Sequence, residues 1–440
     1  MNKMVCNPGG GTICAANRSV IEQRWPHIRK RMEEASGPKE VVFTRHTPQP
    51  TLFIDGIHLS SGYDQVCEAE LQASLVPEES LHAWVYGVGP GQIPRVLLGR
   101  HRIKRVVVVI MNPGVAMQSF KYFDHSDWLS DSRVELVLGE YESDIHFPFA
   151  AVPSCLQLAA EPAARLRDLV FLELATPFIR EKHSAENAEL VHRLEENLKY
   201  VRSDGDAVKL FGSKKNSTII VAAAGPTLSD HYRWIAEKQK NYPLIAVDAA
   251  LRPLVNAGIY PDIIVSIDGN PAVASFFKEI DLSLFEGKPL VYFPIVHEDV
   301  LKLWPGKRLT AYPNHSLYKT LIKKHPRGIL YSSGSVLHPC VDLAVKMGAS
   351  KMVLLGADFS FPGRQSHVAG CPVHSEKNGG PMQHWVLNGI GMRVATSANM
   401  RGYLRDLEKY IDKHPRVRFI NGSKDGAHIQ GTTCLEDLSI

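Results

Sequence analysis

A Gly-Pro-Thr-Leu turn, Gly225, Pro226, Thr227 and Leu228, stands between an apolar run at residues 218–224 and a helical stretch at 230–240. Glycine at a strand end lets the backbone approach a ligand, and the free N–H groups of a following helix start favour phosphate. Thr227 suits either a helix cap or a donor to that ligand. Ser333, Gly334 and Ser335, after Ser332, open a second helix and carry the same two readings, anion site or cap. Three aspartates follow apolar runs: Asp248 after 244–247, Asp268 after 262–267 and Asp358 after 351–357. A carboxylate there can accept from ribose hydroxyls or a base amine; a solvated strand end or a helix cap is the plainer role. Asp358 heads a stretch, 359–381, rich in Gly, Pro and His, with His367 and His374 inside it and His384 just beyond. Histidine on a long loop fits general acid–base work or phosphate contact, and His367 is the catalytic candidate. With 19 histidines in the chain, most must be structural or solvated.

These residues recur at strand ends, which predicts an open parallel sheet with its ligand beyond the carboxyl edge. Strands are expected at 218–224, 244–247, 262–267, 290–293, 351–355 and 417–420, with helices at 335–347 and 399–413. An earlier α/β region has strands at 81–86, 106–111 and 134–138, the second an almost pure apolar run of the kind buried on both faces. Gly87, Gly89 and Gly91 follow its first strand in the manner of a dinucleotide or S-adenosylmethionine turn. Asn112 stands where an acidic ribose partner belongs, so that turn is expected to hold no cofactor. A helix is expected at 19–34 and another at 184–201, with Leu190, Leu194 and Leu198 on one face. The resulting division is an N-terminal extension (1–50), a degenerate Rossmann-like domain (51–165), a helical connector (166–205) and a Rossmann-like nucleotide or nucleotide-sugar domain (206–440). The fold class is α/β, with two Rossmann-like parallel-sheet domains.

The 440 residues are 44% hydrophobic and 22% charged, ordinary for a globular chain of several domains. Fifty basic against 46 acidic residues leave a net charge of +4, too little to argue for nucleic acid as a partner. No apolar run approaches a membrane span. Seven cysteines, odd in number and without a CxxC pair, signal no metal site and fit a reducing, cytoplasmic compartment.

The segments 219–228 (IIVAAAGPTL), 261–268 (PDIIVSID) and 332–358 resemble the domain of motility accessory factors, bacterial proteins linked to flagellin glycosylation with sialic-acid-like nonulosonic acids. Residues 58–70 (HLSSGYDQVCEAE) and 81–138 resemble that family's N-terminal region, so the resemblance spans about 51–420. The second-half motifs also look like those of bacterial sialyltransferases that use CMP-sialic acid. Gly225-Pro226-Thr227 matches a GPS turn, Ser333-Gly334-Ser335 a short SGV segment, and Gly356-Ala357-Asp358-Phe359 a GIDF strand end. Asp248 and Asp268 match nucleotide-contacting positions. Ser360 and His367 fall near tyrosines that hold the CMP phosphate, and no residue matches that family's histidine base. A third resemblance is to archaeal 6-hydroxymethylpterin diphosphokinases, which implies pyrophosphoryl transfer from ATP with magnesium. Taken together, these resemblances imply a glycosyltransferase moving a nonulosonic sugar from a CMP donor to flagellin or a glycan acceptor. No further cofactor or metal is implied; the alternatives are the diphosphokinase and a non-catalytic nucleotide-binding adaptor.

Overall fold

The computed structural model describes residues 14–44, 47–182, 188–376 and 384–434. It divides into two units, Met1–Leu174 and Ala175–Ile440. Among the described residues, no helix is long and apolar enough to cross a membrane. Cys14 is disulfide-bonded, whereas Cys67, Cys155, Cys340, Cys371 and Cys434 are free.

The first unit carries a small antiparallel sheet, β1 (Val41–Thr44), β2 (Thr51–Ile54) and β3 (Ile57–His58). Beside it lies a parallel sheet of β4 (His82–Tyr86), β5 (Arg105–Ile110), β6 (Val134–Leu138) and β7 (Phe149–Ala151), in the order β6-β5-β4-β7. This is the start of a Rossmann sheet, with the first strand inside and the chain reversing direction across it. β5 is apolar on both faces because both are covered: Val106 to Ile110 are each at most 1% exposed. The helix expected at 19–34 is two, Ala15–Arg24 and Pro26–Glu34, since Pro26 cannot continue a helix and instead occupies the first turn of the next. Ile21, Ile28 and Met32 are buried in the same cluster as β5, so these residues build the unit's core and form no appendage.

The second unit is a ten-stranded sheet among the described residues. Its strands are β8 (Gly205–Asp206), β9 (Ser217–Ala222), β10 (Leu244–Val247), β11 (Ile263–Ser266), β12 (Pro289–Tyr292), β13 (Lys307–Pro313), β14 (Gly328–Leu330) and β15 (Ala349–Leu355). A separate hairpin, β16 (Trp385–Leu387) with β17 (Arg393–Ala395), precedes the last two, β18 (Arg418–Asn421) and β19 (Thr433–Cys434). The order is β14-β13-β12-β11-β10-β9-β15-β18-β19, with β8 paired to β13. All recorded pairings in this sheet are parallel. The chain thus winds outward from β9, returns through the helix Leu337–Met347, and resumes on the other side of β9. The direction of winding changes between β9 and β15, where Ala222 stands opposite Leu355. Such a switch opens a crevice at the carboxyl edge. Ile219–Ala222 and Met352–Leu355 are completely buried, which fixes that edge on a rigid base.

Candidate functional site

At the switch point the Gly225 turn is closed by the protein itself. Gly225 N–H donates to Gly356 O (2.9 Å) and Leu228 N–H to Gly225 O (3.0 Å). Asp358 accepts from Thr227 N–H at 2.9 Å and from Thr227 Oγ1 at 2.5 Å. Pro226 has no N–H to offer. A methyl group on Gly225 would clash with Gly356 O and lie 2.5 Å from Asp358 Oδ2, so these close approaches require glycine. The free donors expected from the sequence are therefore engaged, and Asp358 is a brace. It is 2% exposed, and burial pushes its carboxyl above the usual range against the opposing bonds from Thr227. The following segment, Pro226–His231, is a 3-10 turn, and the α-helix begins only at Tyr232.

The second cradle is open. Ser333 N–H donates to His338 Nδ1 at 3.2 Å, and Leu337 N–H to Ser335 Oγ at 3.3 Å. Among the described residues, nothing accepts from the N–H groups of Gly334, Ser335 or Val336. Three consecutive amides are thus left unpaired at the start of an eleven-residue helix, Leu337–Met347. Consecutive unpaired amides beside a helix start make an anion cradle. Gly334 has φ +86°, and a Cβ there would fall 2.5 Å from Tyr403 Cε1, so only glycine fits beneath that ring. The turn is anchored twice more. Ser333 Oγ donates to Asp406 Oδ2, and His338 Nε2 to Tyr403 O at 3.0 Å. With Nδ1 accepting from Ser333, the proton of neutral His338 sits on Nε2. Burial holds its pKa down at about 4, opposed by the Tyr403 carbonyl. Tyr403 and Asp406 come from the helix Ala398–Asp412, three residues apart and hence on one face.

Tyr403 links this cradle to the neighbouring strand ends: burial raises its phenol pKa, and the Asp268 carboxylate raises it further. Asp268 itself is exposed, with Oδ1 accepting from Asn270 N–H at 2.9 Å. Asp248 is 2% exposed, accepts from Ser266 Oγ at 2.6 Å and from Ala249 N–H at 2.8 Å, and is pushed up to about 6 by burial first and Asp268 among the lesser causes. The two aspartates therefore differ in role: Asp268 is available to a ligand, and Asp248 braces the edge from inside. The sequence pattern of aspartates at strand ends could not separate them, because burial depends on what packs above.

His367 lies over the end of β9. Val368 N–H donates to Ala224 O at 2.9 Å, and His367 Nδ1 is 3.1 Å from Ser366 Oγ. His374 Nδ1 bonds His367 O at 2.6 Å. His384 instead meets Arg401 Nη2 at 3.3 Å. Part of the loop expected at 359–381, residues 377–381, lies outside the described residues. Sequence reasoning overlooked His338, Tyr403 and Asp406. A signal for the first existed: it stands three residues after Ser335, in the first turn of the helix that Ser335 opens.

In the first unit the glycine turn is filled. A Cβ on Gly87 would strike Cys155, one on Gly89 would press on Val152, and one on Gly91 would meet Trp128 Nε1 at 2.7 Å and the His125 ring. The space beside it, lined by Gly87, Val88, Gly89, Met111, Asn112 and Cys155, is about 10 Å³. That is at the lower limit for one water. Asn112 caps the helix Pro113–Tyr122, accepting from Gly114 N–H at 3.0 Å and Val115 N–H at 3.3 Å. Behind the turn, Trp128 Nε1 donates to His125 Nδ1 (3.1 Å), His125 Nε2 donates to Ser119 Oγ (3.0 Å), and Ser119 donates to Gly89 O (2.5 Å). A cleft of about 470 Å³ near Arg24, Lys104, Arg105 and Arg133 is distant from any strand carboxyl end. Its arginines bond Leu129, Asp131 and Val134 carbonyls, the Asp131 side chain and Glu135.

The fold and site thus define a Rossmann-like α/β protein whose second unit offers an anion cradle at the sheet's carboxyl edge. Residues 192–364 match the family described as 6-hydroxymethylpterin diphosphokinase MptE-like, which agrees with the resemblance read from Gly225 to Leu228, Asp268 and Ser333 to Asp358. No curated protein matches the chain. Among solved structures it is similar to the MAf glycosyltransferase of Magnetospirillum magneticum AMB-1, with TM-score 0.48 and 16% identity over 97% of this chain and 74% of that one.

Proposed function

We propose that this chain is a glycosyltransferase that takes a nonulosonic sugar from a CMP donor and passes it to a Ser or Thr hydroxyl of flagellin or to a glycan. The observation that carries this reading is the trio of unpaired amides at Gly334, Ser335 and Val336, at the start of the helix Leu337–Met347. The amides face a phosphate, and Asp268 accepts from the ribose hydroxyls. The acceptor oxygen attacks the anomeric carbon as a base takes its proton, and His367 closes over the phosphate. The bond from that carbon to the phosphate oxygen breaks, and CMP leaves with the electron pair. Charge grows on the phosphate as it departs, so the fixed amides bind the transition state more tightly than the ground state. Asp358, Thr227 and Asp248 serve this site from behind, by fixing the strand ends on which the contacting groups stand.

A second reading is favoured by the family matched at 192–364: pyrophosphoryl transfer from ATP with magnesium, its phosphates on the same amides. Calorimetric titration with CMP and, separately, ATP with magnesium decides between them. CMP binding that is lost on blocking the Gly334 turn supports the transferase; ATP–magnesium binding without CMP binding overturns it.

A further inference from the structure

We propose that Arg193 forms a second oxyanion subsite next to Asp268, which takes the carboxylate of the transferred sugar; this rests on the transferase reading above. Arg193 projects from the helix Ala188–Ser203 onto the end of β11. A Cβ on Gly269 would clash with Arg193 Nη1 and Cζ, so the guanidinium packs closely against the glycine directly after Asp268. That position is built. Asn197, one turn further along the same helix and completely buried, donates to Pro294 O at 2.8 Å and Val296 O at 2.7 Å, which clamps the helix to the loop after β12. The same Cβ on Gly269 would stand 2.6 Å from Ile295 O, so guanidinium, Gly269 and this loop meet at one point. His297, next along the loop, donates its backbone N–H to Asp268 O at 3.2 Å.

The charge at this point is only partly used. Arg193 is 18% exposed in its side chain, yet its one partner among the described residues is Glu189, through Nη2 at 2.8 Å, and Glu189 is 76% exposed. An exposed i,i+4 pair of this kind contributes little and does not require a buried stem or a glycine opposite. Nη1, Nε and the second hydrogen of Nη2 remain, and Nη2 with either neighbour makes the fork in which a guanidinium binds a planar oxyanion. With the phosphate on the Gly334 amides and the ribose on Asp268, the group that remains for Arg193 is the acid of the sugar.

The test is a set of titrations of wild type, Arg193→Gln and Gly269→Ala with cytidine, CMP, CMP-N-acetylneuraminate and inorganic pyrophosphate. The expected result is that Arg193→Gln weakens CMP-N-acetylneuraminate about ten-fold or more, the loss of a charged hydrogen bond, and leaves CMP unchanged. Gly269→Ala, which displaces the guanidinium and also presses on Ile295 O, should fall between the two with a lowered melt, and the thermal melt of Arg193→Gln should match wild type. Equal weakening of CMP and the sugar nucleotide would overturn the carboxylate assignment and place the nucleotide phosphate there. Unchanged affinity for every ligand in Arg193→Gln would overturn the subsite altogether. If wild type binds pyrophosphate but no cytidine compound, the transferase reading fails, and a pyrophosphate affinity that depends on Arg193 would then overturn the sugar-carboxylate assignment as well.

Discussion

His338 should make the Gly334 cradle acid-sensitive. It is completely buried, with Nδ1 accepting from Ser333 and Nε2 donating to Tyr403 O. Protonation would force a second N–H against the Ser333 amide, a donor facing a donor, and bury an unpaired charge. Its pKa in the folded chain is about 4, against an ordinary 6.5. Because the folded value is depressed, the unfolded chain binds the proton first. The stabilisation is therefore whole above pH 6.5 and is lost progressively as pH falls toward 4. At about 1.36 kcal/mol per pH unit, the full loss is about 3 kcal/mol, and about 2 kcal/mol of it has gone by pH 5. Asp248 acts in the opposite direction. Its raised pKa of about 6 means that acidification relieves a buried charge, so wild type alone would show a muted response. The comparison that isolates His338 is wild type against His338→Gln, which cannot titrate. In hydrogen exchange read on peptides covering residues 331–340, wild type should lose about 2 kcal/mol of protection between pH 7.5 and 5, after correction for intrinsic exchange, relative to the variant. Nucleotide affinity should fall in the same window, since Ser333 then no longer holds Gly334 under Tyr403. Parallel pH profiles in the two proteins, or a His338 imidazole titrating near 6.5 by NMR, would refute the reasoning.

Val336→Pro removes one amide of the cradle at a residue whose φ of −60° suits proline; CMP binding should weaken several-fold while the melting temperature stays within a few degrees, and unchanged affinity would exclude those amides from the site. Thr227→Val removes the hydroxyl bond to the buried Asp358 carboxylate, keeps the N–H bond, and should destabilise the second unit by about 1–3 kcal/mol in urea, with CMP affinity nearly unchanged at saturating folded fraction. Asp268→Ala should weaken nucleotide binding by about 1–3 kcal/mol and leave the unliganded melt alone, because the carboxylate is exposed; a large drop in melting temperature would mark it as structural. His367→Ala should keep CMP affinity and lower turnover in a transfer assay, and full turnover would remove it from the mechanism.

Much of the fold was legible because parallel strands buried on both faces declare themselves. β5, β10 and β15 are such apolar runs and fall within two residues of where the pattern puts them, as does β6, an edge strand whose Glu135 and Val137 are half-buried. β13 was not legible. Its sequence, KRLTAYP, opens on two charges and closes on proline, and its apolar residues become a strand only because β12 and β14 flank it. β7 has three residues, Phe149–Ala151, too few for any period to show. The break at Pro26 was legible and was overridden by the apolar spacing on either side. Residues 166–205 read as one connector because helical periodicity says nothing about partner. In the structure Leu166 and Val170 belong to a core cluster of the first unit, whereas Asn197 and Val201 are buried in the second.

For the site, the chain announces where glycine, serine and aspartate meet strand ends, and it does not announce which donors are already spent. Gly225-Pro226-Thr227-Leu228 and Ser333-Gly334-Ser335 look alike as sequence, since both place small polar residues at a helix start. They part company through residues far away. Asp358, 131 positions from Thr227, takes the first turn's amide and hydroxyl. Asp406, 73 positions from Ser333, takes only a hydroxyl, while His338 takes one amide and leaves the next three. A carboxylate inserted into the first turn does the work a phosphate would do there, which is why burial tolerates it. The second turn, gripped by its side chains and at a single amide, keeps its remaining backbone donors for a ligand. Which of the two turns keeps backbone donors for an anion is thus decided by long-range hydrogen bonding, and the glycine motif that first draws the eye is the one whose donors the fold has already consumed.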